Sequence, residues 1–188
     1  MSAAEKLKIS PGDYLASERT AVCKSEYVAG DVFSMAGASY RHNLIAANLL
    51  SEIHSQFRDR SCTVLGSDMK IWMADASAFA YPDLSGLCCK PDFVDEAEDA
   101  YANPSFVIEV LSDSTETYDR GDKFHRYQSL PSLVDYILVS QTGISVEMFR
   151  RHEAGWLYQS MRSLADSLTL TSVAVTVPLR DIYRGVFA

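Results

Sequence analysis

Between residues 39 and 58, apolar side chains recur at Ile45, Leu49, Ile53 and Phe57, with Leu50 widening the stripe, while Arg41, Asn48, Glu52 and Arg58 fall elsewhere. That period lays an apolar face along a helix and predicts the longest helix of the chain over 39–58. A shorter helix is predicted over 10–20, because Ser10-Pro11-Gly12-Asp13 suits a helix start and Tyr14 and Leu15 supply its first apolar contacts. Residues 26–28 and 32–35, joined by Ala29-Gly30-Asp31, read as a hairpin.

Further along, 62–65 and 68–73 read as strands, the second alternating Met69, Ile71 and Met73 with Asp68, Lys70 and Trp72. Another strand is predicted over 81–87. Five acids between Asp92 and Asp99, with little apolar pattern, read as a solvated loop. Residues 106–111 form a mostly apolar run interrupted by Glu109, the mark of a central strand covered on both faces. Helical character over 119–129 stops at Pro131. Strands follow over 136–139, 144–149, 156–161 and 168–177, and Pro178 opens a terminal helix through Tyr183. The mixture predicts an α/β or α+β fold, a mixed sheet flanked by helices, whose strand order the pattern leaves open.

The 188 residues suit one domain, 1–188, with the helix and hairpin of about 10–36 as part of it. Seventeen Lys and Arg against 25 Asp and Glu leave a formal charge of −8. That argues against a protein that coats nucleic acid through bulk charge, though Arg120, Lys123 and Arg126 suggest a local positive edge. The opening MSAAEKLKIS lacks an apolar leader segment, and no apolar run approaches the roughly 20 residues needed to span a bilayer. No membrane association and a cytoplasmic location are therefore expected. Cys23, Cys62, Cys88 and Cys89 show neither CxxC spacing nor nearby His partners and read as reduced thiols.

Candidate chemistry starts with Glu109, since an ionised carboxylate inside Phe-Val-Ile-Glu-Val-Leu costs several kcal/mol or more unless compensated. A salt bridge, a neutral carboxyl and a metal ion all meet that requirement. Asp83 follows Pro82 at a strand start or bend, where it either makes a local turn or points into a cleft. Lys123 and Tyr127 share one helical face, and His125 points elsewhere. Two carboxylates and a backbone carbonyl supply the oxygen ligands that Mg2+ prefers and leave positions for water and phosphate. A nearby lysine would orient water or offset charge developing on phosphorus.

Taken in order, Tyr81-Pro82-Asp83, Ile108-Glu109-Val110-Leu111-Ser112 and Asp119-Arg120-Gly121-Asp122-Lys123 with Tyr127 resemble the Uma-two family of restriction-endonuclease-like proteins. Glu26 through Gly30, His42 and Val134 through Val139 extend the resemblance over nearly the whole chain. The family is regarded as a branch of the PD-(D/E)xK nuclease superfamily, which implies a restriction-endonuclease-like mixed sheet and metal-dependent phosphodiester cleavage. By this resemblance Asp83, Glu109 and the Val110 carbonyl hold Mg2+, with Mn2+ as a substitute. Lys123 replaces the lysine that the superfamily usually places where Leu111 stands here, and Glu26 adds a second ligand or a base. His42, Arg120 and Tyr127 are candidate substrate contacts, although His42 also suits capping or packing and Tyr127 the core. The implied partner is nucleic acid, DNA in the first instance, cut by a homodimer. A catalytically inactive interaction domain on the same fold and a phosphodiesterase for a smaller nucleotide are the competing expectations.

Overall fold

The structure, a computed structural model, describes residues 8–112 and 115–187; residues 1–7, part of the stretch read for a leader, lie outside it. Ser10 caps α1 (Pro11–Glu18) by accepting from the Asp13 amide, and Ser39 caps α2 (Tyr40–Gln56) by accepting from the His42 amide. Between them β1 (Ser25–Val28) and β2 (Asp31–Ser34) form the expected hairpin. The chain continues through β3 (Thr63–Gly66), β4 (Lys70–Met73), β5 (Ala78–Ala80), β6 (Leu84–Leu87), β7 (Ala100–Tyr101) and β8 (Phe106–Leu111). A helical segment follows: α3 (Glu116–Tyr118), a widened π turn (Asp119–Lys123) and α4 (Phe124–Tyr127). Then come β9 (Asp135–Ser140), β10 (Val146–His152), β11 (Gly155–Met161), β12 (Ser167–Leu170), β13 (Val175–Pro178) and α5 (Leu179–Ile182).

The fold is mixed α/β. One sheet has the order β2-β1-β5-β4-β7, a second β11-β10-β9-β8-β6-β3, and β12 and β13 form a small hairpin sheet. Most neighbours are antiparallel, but β8 and β9 run parallel, with the helical segment as their crossover, and so do β4 and β7. β8 sits inside the larger sheet, buried on both faces as its composition predicted. Phe106, Ile108 and Val110 enter a core with α2, α5 and the small hairpin, including the helix stripe Ile45, Leu49, Ile53 and Phe57. Val107 and Leu111 enter a second core with Phe124, Tyr127 and residues of β4 and β5.

Several expectations are corrected. Residues 81–87 do not form one strand: Pro82, which cannot donate to a ladder, separates β5 from β6, and the two lie in different sheets. The 168–177 run is a hairpin rather than a strand, with Ala174 at positive φ before β13. The acidic loop is partly docked, Asp95 and Asp99 pairing with Arg19, and Asp99 also with the buried Lys70. Asn48, placed outside the helix stripe, is buried because its amide donates to the carbonyls of Ile182 and Arg184 at the end of α5. Cys62 and Cys88 are not reduced thiols but a disulfide, since the antiparallel register of β3 and β6 sets them directly opposite. Cys23 and Cys89 are free and exposed. Among the described residues no helix is long and apolar enough to cross a membrane.

Gly86 lets β3, β6 and β8 close up. A Cβ there would lie 2.5 Å from the Thr63 carbonyl oxygen and 2.6 Å from the Phe106 ring. Gly86→Ala is expected to lower unfolding stability by about 1–3 kcal/mol, read as a fall in urea midpoint at unchanged m-value.

Candidate active site

Side chains alternate along β8, so Glu109 projects with Val107 and Leu111 toward the helical segment. Leu84 pairs with Ile108, and extending that antiparallel register by one step sets Asp83 beside Glu109. The Val110 amide donates to Asp83 Oδ2 at 2.7 Å. A strand residue's N–H and C=O point to the same side, so the Val110 carbonyl also faces this gap, beyond the end of β6.

Lys123 enters from the π turn. Its Nζ lies 3.0 Å from Glu109 Oε1, 3.0 Å from Glu26 Oε1 and 3.7 Å from Asp119 Oδ1. All four side chains are buried. Glu26 comes from β1, where it also accepts from the Tyr81 amide at 3.2 Å and from the Tyr118 hydroxyl at 3.3 Å. His42, in the first turn of α2, places Nε2 3.2 Å from Asp83 Oδ2. Five separate stretches of chain thus converge on one place.

Carboxylates outnumber cations there, and the titration of the groups reflects it. Burial pushes the Glu109 carboxyl well above its ordinary range; Lys123 opposes the rise, while Asp119, Asp83 and Glu26 add to it. Burial raises Asp119 as well, with Lys123 again opposing. For Lys123 burial works against the charged form, but Glu109, Glu26 and Asp119 outweigh it and hold the ammonium protonated. Burial likewise opposes charge on His42, and the hydrogen bond and charge of Asp83, with the Val110 backbone, more than offset it. Tyr118 is pushed up to about 12 by burial and by Glu26.

Glu109 Oε1 is buried and, despite its short approach to Lys123, has no aligned hydrogen-bond donor among the described residues. Such an atom, in a pocket with surplus negative charge, fits a divalent cation. No group of three or more His, Cys, Asp or Glu among the described residues is arranged as a protein metal cage. Mg2+ asks for less, taking one or two carboxylates and completing its shell with water and substrate phosphate. Asp83, Glu109 and the Val110 carbonyl are a donor set of that kind.

Comparison with known proteins shows the family and supports the fold. Residues 11–179 match the Uma2 family, described as "Putative restriction endonuclease". The chain belongs to the Uma2 family. Two Synechocystis relatives, named "Uncharacterized protein sll1609" and "Uncharacterized protein slr1290", are each 34% identical to it. The first alignment covers 76% of this chain and 81% of the relative, the second 95% and 93%. A crystal structure of a "putative nuclease belonging to DUF820" from Anabaena variabilis has the same fold, with a TM-score of 0.75 at 16% identity over 95% of this chain and 99% of that one.

In this Uma2 chain, Asp83, Glu109, Val110, Lys123, Glu26 and His42 come together, and Arg120 and Tyr127 do not join them at an open surface. Arg120 is held by Glu116 and Glu147, and Arg126 hydrogen-bonds the Tyr118 hydroxyl and approaches Asp122. The expected positive edge is therefore neutralised. Tyr127 is fully buried beside Tyr136, so the expectation of a substrate contact is corrected to a core role. Asp119 belongs to the motif that carries the family resemblance but is not among the site residues expected from the sequence, and neither is Tyr118. The signal for Asp119 was its i,i+4 spacing to Lys123, which counts only once Lys123 is known to be buried. His125 is exposed, as its angle on the helix predicted.

Proposed function

We propose that this chain is a metal-dependent endonuclease that hydrolyses phosphodiester bonds in DNA. The observation that carries the reading is Glu109: a fully buried carboxylate on a central strand, beside Asp83, in a cluster where Lys123 is outnumbered by carboxylates. A purely structural ion pair would need one partner for Lys123, not Glu26, Glu109 and Asp119 together. Surplus negative charge in a buried site is costly and is retained where function uses it. Membership of the Uma2 family supports a nuclease-like function.

Asp83, Glu109 and the Val110 carbonyl would hold the cation. When bound, Mg2+ supplies Lewis-acid stabilisation of phosphoryl charge and makes hydroxide available near neutral pH. Lys123, fixed by three carboxylates, presents its ammonium at the same place, where it orients a water or offsets charge gathering on the phosphoryl oxygens. Glu26 holds Lys123 and, being tied to Tyr118 and the Tyr81 amide, keeps the hairpin against the site. His42 and the Val110 amide both contact Oδ2 of Asp83, and together they limit the rotation of its carboxylate.

The test is cleavage of labelled DNA with Mg2+ or Mn2+. Activity is expected for the wild type, loss on chelation, and a fall of at least about a hundredfold for Asp83→Asn. Metal-independent cleavage, or full activity in Asp83→Asn, contradicts the reading. Metal uptake without cleavage of DNA, but with cleavage of a small phosphodiester, favours the smaller-nucleotide alternative.

A further inference from the structure

β11 ends the larger sheet and pairs only with β10, so its outer side presents N–H and C=O groups that have no strand partner among the described residues. With seven residues it is the longest strand at an end of either large sheet; β2, β3 and β7 have four, four and two. Proteins blunt an edge of this length with a charged side chain, a proline or a bulge, because an unblunted one recruits another strand. β11 reads Gly-Trp-Leu-Tyr-Gln-Ser-Met, without charge or proline, and its register against β10 runs unbroken from Gly155 to Met161.

Two large apolar side chains at the middle of this edge are uncovered, Leu157 at 56% and Tyr158 at 55% exposure. Adjacent strand residues point to opposite faces of a sheet. Tyr158 lies on the face of Phe149, its cross-strand partner, with ring centroids 5.3 Å apart, and Leu157 lies on the other face. A partner resting on one face would therefore cover only one of the two. A strand added at the edge flanks both.

The charges that bracket β11 say which strand fits. Glu153, in the turn before it, and Arg162, directly after it, are exposed, and neither has an ion-pair partner among the described residues. Antiparallel pairing of β11 with a copy of itself, centred on Tyr158, sets Tyr158 opposite itself and Leu157 opposite Gln159. It also brings Glu153 of each copy to the strand end where Arg162 of the second copy stands. Parallel pairing would instead align like charges. We infer that two copies of this chain join through β11, antiparallel about a two-fold axis at Tyr158, and merge their six-stranded sheets into one. The pairing consumes the edge in both copies, so assembly stops at two. An axis perpendicular to the sheet keeps like faces together, so the Glu109 clusters of both copies lie on one side of the joined sheet. The interface stands whether or not those clusters cut DNA.

The test is sedimentation equilibrium of the full chain over a range of concentrations. Wild type is expected to form a reversible dimer, and Tyr158→Phe to keep it. Tyr158→Lys and Tyr158→Glu each set two like charges face to face and should weaken the dimer at least about tenfold. An equimolar mixture of those two variants should dimerise again, a result that a merely misfolded variant would not give. Glu153→Arg should weaken the dimer about fivefold at low salt, and adding Arg162→Glu to it should restore the wild-type affinity. A monomeric wild type, growth beyond the dimer, a dimer undiminished in both charged Tyr158 variants, or no recovery on mixing them overturns the inference.

Discussion

Lys123→Met is expected to destabilise the metal-free protein by about 3–5 kcal/mol at neutral pH, the cost of leaving buried carboxylates without their cation. Methionine fills the space but leaves Glu26, Glu109 and Asp119, all within 3.7 Å of Nζ in the wild type, facing one another. In a chain of this size each kcal/mol lowers Tm by about 2–4 °C, so thermal melting in EDTA reads the effect directly. The loss should shrink as pH falls. Burial already raises Glu109 and Asp119 above their ordinary range, and removing the opposing ammonium raises them further. A carboxyl that binds its proton more tightly folded than unfolded gains stability as pH drops through its folded pKa. The variant should therefore recover much of its deficit on the acid side. A Tm equal to wild type at neutral pH would show that another cation compensates the cluster.

The second large effect has the opposite sign for stability. Glu109→Gln removes one negative charge from a site with too many and keeps the side chain's shape, while Lys123 retains Glu26 and Asp119. The raised pKa of Glu109 means that its ionisation costs folding energy above the unfolded carboxyl pKa, a cost absent below it. The variant should accordingly melt higher than wild type at neutral and alkaline pH in EDTA, with the difference vanishing toward the acid range where wild-type Glu109 is neutral. Cleavage should fall by about a hundredfold or more. Gain of stability together with loss of activity is the signature of a residue kept for chemistry. If the variant melts lower at every pH, Glu109 serves as a structural partner for Lys123.

Local pattern and tertiary register contributed different parts of this picture. The stripe Ile45, Leu49, Ile53 and Phe57 placed α2, and the apolar run of 106–111 matched β8 residue for residue, because both signals are set by nearby positions. An acid in that run marked Glu109 without a structure. The pairing of Cys62 with Cys88 was not legible, since it depends on how β3 aligns with β6. Asp119 was not legible either: the π turn that brings it and Lys123 inward is an insertion in the helix ladder, which composition does not report. Arg120 was misread because Glu147, its partner on β10, is distant in sequence. Pro82 shows the converse: a proline cannot donate to a ladder, and that local signal alone separates β5 from β6.

The most direct test of the account is a titration of Mn2+ into the metal-free protein, followed by calorimetry and by the Mn2+ electron-spin resonance signal. Wild type should bind the ion, and Glu109→Gln and Asp83→Asn, both folded by circular dichroism, should lose that binding. Equal Mn2+ affinity in all three proteins would mean that Asp83 and Glu109 do not share a divalent cation.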